Sequence, residues 1–118
     1  LRVLLDELGR LTTLGDEMLL VGGGARSKLW RQIYADVYGL RIAKTNIDQQ
    51  AAALGAAAVA AVGVGLWDNF GPIDAAHTLE DSATPIPEHA ATYDKLLDVY
   101  RNASAALATI GDELTAMD

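Results

Sequence analysis

The sequence predicts an α/β fold in which short parallel strands are followed by packed helices. Short apolar runs at residues 17–21 and 40–43 have the length and the glycine-bounded ends expected of buried strands. Each run is followed by a longer segment with helical periodicity. Strands that alternate with helices form parallel sheets, because each helix returns the chain to the same end of the sheet.

The first two helices are predicted from apolar periodicity and from their end signals. Leucines recur at three- and four-residue steps along residues 1–11, which is the spacing of one helix face. A second helix is predicted over residues 26–38, with Trp30 in the stripe that faces the core. Gly39 is suited to end this helix, because glycine readily adopts the left-handed conformation of a C-terminal cap.

The second half of the chain is predicted to be helical, with one irregular stretch. Asp48 is the expected N-cap of a helix over residues 49–64, which is rich in alanine. Residues 65–87 are expected to be irregular, apart from a short helix at 73–78. A last long helix is predicted to begin at Pro87, since proline suits the first turn of a helix.

Only two strands are predicted, and a two-stranded parallel sheet is a poor independent unit. The chain also begins at Leu1 rather than Met, already within a helical pattern. We therefore expect residues 1–118 to be a fragment of a longer chain that supplies further strands. An exposed sheet edge would also favour self-association, so a homo-oligomer is one expected state.

Composition excludes several classes of partner. The net charge is −7 and the nine Lys and Arg residues are scattered, so a basic face for nucleic acid is not expected. The most apolar stretch, residues 51–66, is too short and too rich in Ala and Gly to span a membrane. Cysteine is absent, which suits a reducing cytoplasm, and we predict a cytoplasmic location. His77 and His89 lack companions at metal-ligand spacing and are expected on the surface.

The segment most informative about chemistry is a glycine run between the first strand and the second helix. Gly22, Gly23 and Gly24 let the backbone approach a ligand closely, and the helix that follows offers unpaired N–H groups. The same residues are equally consistent with a tight turn in which Ser27 caps the helix. A dinucleotide fingerprint is a third interpretation, but it requires an acidic residue after the second strand, and none occurs before Asp48.

A family resemblance favours the nucleotide interpretation. Residues 22–40 (GGGARSKLWRQIYADVYGL) closely resemble the adenosine-contacting segment of FGGY carbohydrate kinases, most of all the xylulokinase branch. Residues 53–57 (ALGAA) resemble the helix that follows in that family, and residues 93–107 resemble its closing helix. Relatives often carry an acidic residue just before ALGAA, where this chain has Gln49 and Gln50.

The resemblance implies an actin and ribonuclease-H-like ATPase fold, with ATP and Mg²⁺ bound between two domains and sugar bound mainly by the other one. By position, Gly22, Gly23 and Gly24 would approach the α-phosphate and ribose, and Ser27 would lie near the adenine. The family's catalytic Asp lies upstream of every matched segment, so no catalytic or metal-binding residue is assigned here, and Asp16, Asp36 and Asp48 are not taken as the base.

The implied function is the nucleotide-binding part of an ATP-dependent sugar kinase acting on a ketopentose such as xylulose. This chain alone is expected to be inactive, because the opposing phosphate grip and the base lie elsewhere. Two alternatives remain open. One is a non-catalytic adenine-nucleotide-binding or oligomerisation module, and the other is part of a dinucleotide-dependent oxidoreductase.

Overall fold

A computed structural model describes residues 2–117 as five helices and a three-stranded mixed sheet. In chain order the elements are α1 (Arg2–Leu11), β1 (Glu17–Leu19), a 3₁₀ turn (Gly23–Arg26), α2 (Lys28–Tyr38), β2 (Arg41–Thr45), α3 (Ala51–Gly63), α4 (Gly71–Ala76), β3 (Leu79–Ala83) and α5 (Pro87–Thr115). The α/β fold class is confirmed, and α1 covers the predicted first helix apart from residue 1, which lies outside the described residues.

The ends of α2 follow the local signals in the sequence. The Ser27 hydroxyl accepts a hydrogen bond from the N–H of Trp30, which begins the helix. Gly39 has a φ of 67° and its N–H donates to the carbonyl of Ala35, which ends it. The predicted boundary at residue 26 is two residues too early, because the 3₁₀ turn comes first.

The sheet has the strand order β1-β2-β3 and differs from the prediction in one respect. The first two strands are parallel as expected, with Met18 opposite Ile42. The third strand, β3, is antiparallel to β2, with Ile42 opposite Ala83. The prediction of only two strands, with an irregular segment here, was therefore wrong. The sequence of β3, LEDSA, carries no apolar alternation, so only its pairing with β2 identifies it.

The start of α3 also differs from the prediction. Gln50 occupies the cap position and makes no side-chain cap bond. Asp48 instead directs one carboxylate oxygen to the N–H of Gln49 and the other to the guanidinium of Arg26. The N-cap prediction for Asp48 was wrong because a long-range ion pair competes for its side chain. The short helix α4 (Gly71–Ala76) lies slightly earlier than predicted, and Pro87 does begin α5.

The apolar core of the described residues is small. Its fully or nearly fully buried apolar members are Ala25, Ala35, Ile42, Ala43 and Ala58. Among them Ile42 is the only large side chain. Trp30 is 51% exposed, so the prediction that it faces the core was wrong. The radius of gyration is 18.7 Å, whereas a compact domain of this length has about 13–14 Å.

The last helix is the most exposed element. α5 runs for 29 residues, and every residue from 101 to 117 is exposed. Apolar side chains at Leu107, Ile110 and Leu114 lie on it without cover. No helix among residues 2–117 is both long and apolar enough to cross a membrane.

Candidate functional site

The glycine turn lies at the carboxyl ends of the two parallel strands. Residues 20–26 leave β1 and residues 46–50 leave β2, so both loops emerge at the same edge of the sheet. The two loops are joined directly, because the N–H of Gly22 donates to the carbonyl of Asp48 at 3.1 Å. A crevice outside the carboxyl ends of parallel strands is where α/β proteins bind ligands.

Gly22 provides the shape of the turn. Its φ of 85° and ψ of −170° lie in a region that only glycine adopts without strain. Its carbonyl accepts the N–H of Ala25 at 3.1 Å, which closes the first turn of the 3₁₀ helix. The N–H of Gly22 is already bonded to the carbonyl of Asp48. This bond holds Gly22 in place, and Gly22 does not offer that N–H to a ligand.

Gly23 and Gly24 provide the open face of the turn. They are the first residues of the 3₁₀ helix, so no carbonyl of that helix reaches their N–H groups. A Cβ atom added to Gly23 would meet no atom within 4 Å. A Cβ on Gly24 would lie 3.8 Å from the ring of Tyr34, in ordinary contact. Gly23 is therefore open to solvent, and Gly24 is half-buried beside Tyr34.

Ser27 joins the turn to α2. Its N–H donates to the carbonyl of Gly24 at 3.3 Å, and its hydroxyl accepts the N–H of Trp30 at 3.3 Å. The interpretation of Ser27 as a helix cap is therefore confirmed. The hydroxyl oxygen accepts in this bond, so its hydrogen remains available to donate to a ligand while Ser27 caps the helix.

The charged groups beside the turn are paired. Asp48 Oδ2 lies 3.2 Å from Nε of Arg26, whose side chain is 62% exposed. The N–H of Gln49 holds the pKa of Asp48 below its ordinary value, and Arg26 and Lys44 act in the same direction. Asp48 therefore stays ionised near neutral pH, and Arg26 offsets its charge at the mouth of the site.

The two histidines lie apart from this turn. His77 is partly buried, against expectation, and its Nδ1 lies 2.8 Å from the hydroxyl of Thr45. His89 is exposed, as predicted, and its Nδ1 lies 3.0 Å from Asp36. Among residues 2–117, no group of three or more His, Cys, Asp or Glu side chains is placed to hold a metal ion.

Comparison with protein-family models adds the deciding observation. Residues 1–64, which include the glycine turn and all of α3, match the model described as the FGGY family of carbohydrate kinases, C-terminal domain. The chain belongs to the FGGY carbohydrate kinase family. The resemblance seen in the glycine segment is confirmed, and the matched region includes both loops that meet at Gly22 and Asp48.

Curated relatives of this FGGY domain include autoinducer-2 kinases. The protein from Photorhabdus laumondii subsp. laumondii is 35% identical over 104 residues, which is 87% of this chain and 18% of the relative. The protein from Salmonella typhimurium is 46% identical over 55 residues, which is 47% of this chain and 10% of the relative. The FGGY domain described here thus spans less than a fifth of these relatives.

Solved structures of FGGY kinases share the fold. Xylulose kinase from Lactobacillus acidophilus matches with a TM-score of 0.70 and 27% identity, over 91% of this chain and 22% of that one. Gluconate kinase from the same organism matches with a TM-score of 0.70 and 28% identity, over 84% of this chain and 20% of that one. The predicted actin and ribonuclease-H-like fold is confirmed, whereas the sugar differs among these relatives.

Sequence reasoning found the glycines and Ser27 but missed the contribution of the second loop. Asp48 and Arg26 were not predicted to meet, although they lie 3.2 Å apart beside the turn. One signal was available. Asp48 follows the second parallel strand as Gly22 follows the first, and such positions converge at one edge of the sheet.

Proposed function

We propose that this chain is the ATP-side portion of a longer sugar kinase and that Gly22, Gly23, Gly24 and Ser27 line its nucleotide site. The observation that carries the proposal is the conformation of the turn within a family of carbohydrate kinases. The turn leaves the N–H groups of Gly23 and Gly24 without a partner inside its 3₁₀ helix, at the carboxyl edge of a parallel strand pair. Backbone N–H groups at such an edge suit the phosphate and ribose oxygens of a nucleotide.

In this proposal each residue of the turn has a separate role in binding the nucleotide. Gly22 sets the shape, the N–H groups of Gly23 and Gly24 donate to the phosphate or ribose, and Ser27 donates toward the adenine. Arg26 adds a positive charge at the mouth, partly offset by Asp48. Phosphoryl transfer depends on positioning and on stabilising the charge of the transferred group. In this proposal the chain contributes part of the positioning, and Mg²⁺ and the base are held by other parts of the protein.

The small core supports the proposal that residues 1–118 belong to a longer protein. Many large apolar side chains are at least half exposed, including Leu4, Leu8 and Trp30. A domain that stands alone normally buries such residues. The chain spans 18% of the Photorhabdus relative and 22% of the xylulose kinase structure, so a protein of that length has further residues that could cover them.

The substrate we propose is a small sugar-type alcohol, with a ketopentose such as xylulose as the first candidate. The likeness to xylulose kinase motivates this choice. Relatives named as autoinducer-2 and gluconate kinases make a panel of substrates necessary. The cytoplasm, where ATP is supplied, is the proposed location.

The proposal is tested by titrating the 118-residue chain with ATP and, separately, with NADH and NADPH. We expect weak, saturable binding of ATP that shifts the backbone amide resonances of Gly23 and Gly24, and no turnover of xylulose by the chain alone. Tighter binding of NADH or NADPH would favour an oxidoreductase. Turnover by the pure chain would contradict the assignment of the base to another part of the protein.

The coding sequence upstream of Leu1 separates the kinase from a non-catalytic nucleotide-binding module. A kinase requires an upstream phosphate loop and a candidate base Asp. A start codon immediately before Leu1, or an upstream region without these features, would favour the module.

A further inference from the structure

Arg31 connects the glycine turn to a strand that lies far away in the sequence. It lies in the first half of α2 and is only 4% exposed. One end of its guanidinium, Nη1, donates to the backbone carbonyl of Ala25 inside the 3₁₀ turn. The other end, Nη2, bonds a carboxylate oxygen of Asp81 on β3.

This arrangement holds the buried part of the turn. Ala25 is fully buried, while Gly23, two residues earlier, leaves open space where a side chain would project. A single peptide unit separates the carbonyl of Ala25 from the units that carry the N–H groups of Gly23 and Gly24. Fixing that carbonyl therefore restricts how far the turn can rotate or unwind, since the turn contains only four residues.

We propose that Arg31 is a positioning residue, which holds the carbonyl of Ala25 against β3 so that the N–H groups of Gly23 and Gly24 keep the orientation that receives a nucleotide. Asp81 completes the support by holding the guanidinium in place. The nucleotide part of this inference rests on the proposed function, whereas the effect on the conformation of the turn does not.

The chemistry of the contacts favours arginine over other cations. A planar guanidinium bonds two acceptors in different directions at once, whereas the single ammonium of lysine behaves as a point charge. Asp81 is suited to hold the guanidinium because it is an ionised carboxylate. The N–H of Ser82 and then the charges of Arg31 and Lys28 hold its pKa below the ordinary value. A buried guanidinium is costly without partners, and in the described residues every buried side-chain polar atom has one.

The test uses three variants of the 118-residue chain. Arg31→Met removes both contacts, and Arg31→Lys keeps the charge but not the bridge. Asp81→Asn keeps an acceptor but removes the charge. Arg41→Met is the matched control, because Arg41 is also paired across the sheet, with Glu17, but is 42% exposed and does not contact the turn.

Two readouts are measured at a temperature where every variant is folded. The first is the amide hydrogen-exchange rate of Ala25 and Ser27, whose N–H groups close the turn onto Gly22 and Gly24. The second is the Kd for ATP. We expect exchange to be faster and ATP binding weaker by about tenfold in Arg31→Met, as for loss of one hydrogen bond to a charged group. Arg31→Lys and Asp81→Asn should give intermediate changes in both quantities, and Arg41→Met should change neither.

The outcomes separate the two proposals. If the parent chain binds no ATP, the proposed function fails, yet the exchange rates still decide whether Arg31 orders the turn. If ATP binds but Arg31→Lys and Asp81→Asn leave both exchange and Kd unchanged, the positioning role is overturned. A lower thermal midpoint with unchanged exchange at Ala25 and Ser27 would also overturn it, because Arg31 would then act only on global stability. If Arg31→Met does not fold, the two milder variants decide.

Discussion

Asp36 on α2 and His89 on α5 are joined at 3.0 Å between a carboxylate oxygen and Nδ1, although they lie 53 residues apart. Asp36 is 3% exposed and also accepts bonds from the N–H of Ile86 and the side-chain amide of Gln32, both at 2.8 Å. One buried carboxylate therefore joins the start of α5 to the last turn of α2. This junction orients α5 relative to α2, the helix that follows the glycine turn.

The first prediction concerns the pH dependence of this junction. Burial raises the pKa of Asp36, but the bonds from Ile86, Gln32 and His89 outweigh it and hold the pKa below its ordinary value of 3.8. A depressed pKa means stability that is fully present above about pH 4 and is lost as the pH falls through the folded-state pKa. We expect Asp36→Asn to lower the free energy of unfolding by about 1–3 kcal/mol at neutral pH.

The measurement is urea unfolding followed by circular dichroism at neutral and at acidic pH. The difference in unfolding free energy between the parent and Asp36→Asn should shrink under acid. The carboxyl of the parent is then protonated, so both proteins carry an uncharged side chain at position 36. Asp98→Asn is the control, since the Asp98 side chain is 78% exposed on the same helix as His89. A difference that stays constant with pH would show that the charge of Asp36 does not stabilise the fold.

The second prediction separates shape from access at the glycine turn. Gly22→Ala should lower the free energy of unfolding by about 1–3 kcal/mol, because its φ and ψ are accessible only to glycine. Gly23→Ala should leave stability nearly unchanged, since its Cβ would meet nothing within 4 Å. It should nevertheless weaken ATP binding, because the added methyl group occupies the open face.

Thermal unfolding and ATP titration of the two variants check this prediction. Gly55→Ala is the control, because Gly55 lies in α3 with open space around its Cβ position. That change should stabilise the chain by about 0.5–1 kcal/mol through helix propensity. Equal ATP affinity in Gly23→Ala and the parent would place the nucleotide elsewhere.

The third prediction concerns the cap of α2. Ser27→Ala removes the acceptor for the N–H of Trp30 and should cost about 1 kcal/mol of stability. Ser27→Asp should restore most of this loss, since aspartate is also a strong cap. It should not restore ATP binding, because an ionised carboxylate has no proton to donate toward the adenine. Chemical denaturation and ATP titration of both variants measure the two effects. If Ser27→Asp binds ATP as well as the parent, Ser27 does not donate to the adenine.

The fourth prediction concerns self-association through the free edge of β1. The N–H of Leu20 bonds the carbonyl of Ala43, and the N–H of Arg41 bonds the carbonyl of Asp16. On the β1 side these bonds use the even-numbered residues Asp16 and Leu20. The N–H and carbonyl of the odd-numbered Leu19 therefore face away from β2. Leu19 is also 45% exposed, and we expect this edge to promote concentration-dependent association.

Sedimentation velocity over a range of concentrations tests this expectation. Leu19→Lys should shift the distribution toward monomer, because charged residues protect sheet edges. Leu66→Lys is the control, since Leu66 is 75% exposed but lies outside the sheet. A parent chain that stays monomeric at every concentration, or an equal effect of both variants, would argue against association through β1.

The parts of the structure that were predictable depend on local signals. Helix α2 was anticipated because Ser27 and Gly39 mark its two ends within the sequence itself. Strand β3 was missed because its residues are held by distant partners, among them Lys44, which bonds Glu80. The glycines of the candidate site were singled out by their residue type, whereas the position of Asp48 beside them depends on how two strands align. Only the folded sheet provides that alignment.

The length of α5 has a consequence for how the molecule behaves in solution. At about 1.5 Å per residue, its 29 residues extend over about 44 Å, well beyond the small sheet. Its final turns carry apolar side chains that touch water on all sides. Helical segments without tertiary support are marginal in water, so fraying should start at this tip. A protease would therefore shorten the chain from its carboxyl terminus long before it reached the sheet, and binding of a neighbouring protein surface would slow that trimming.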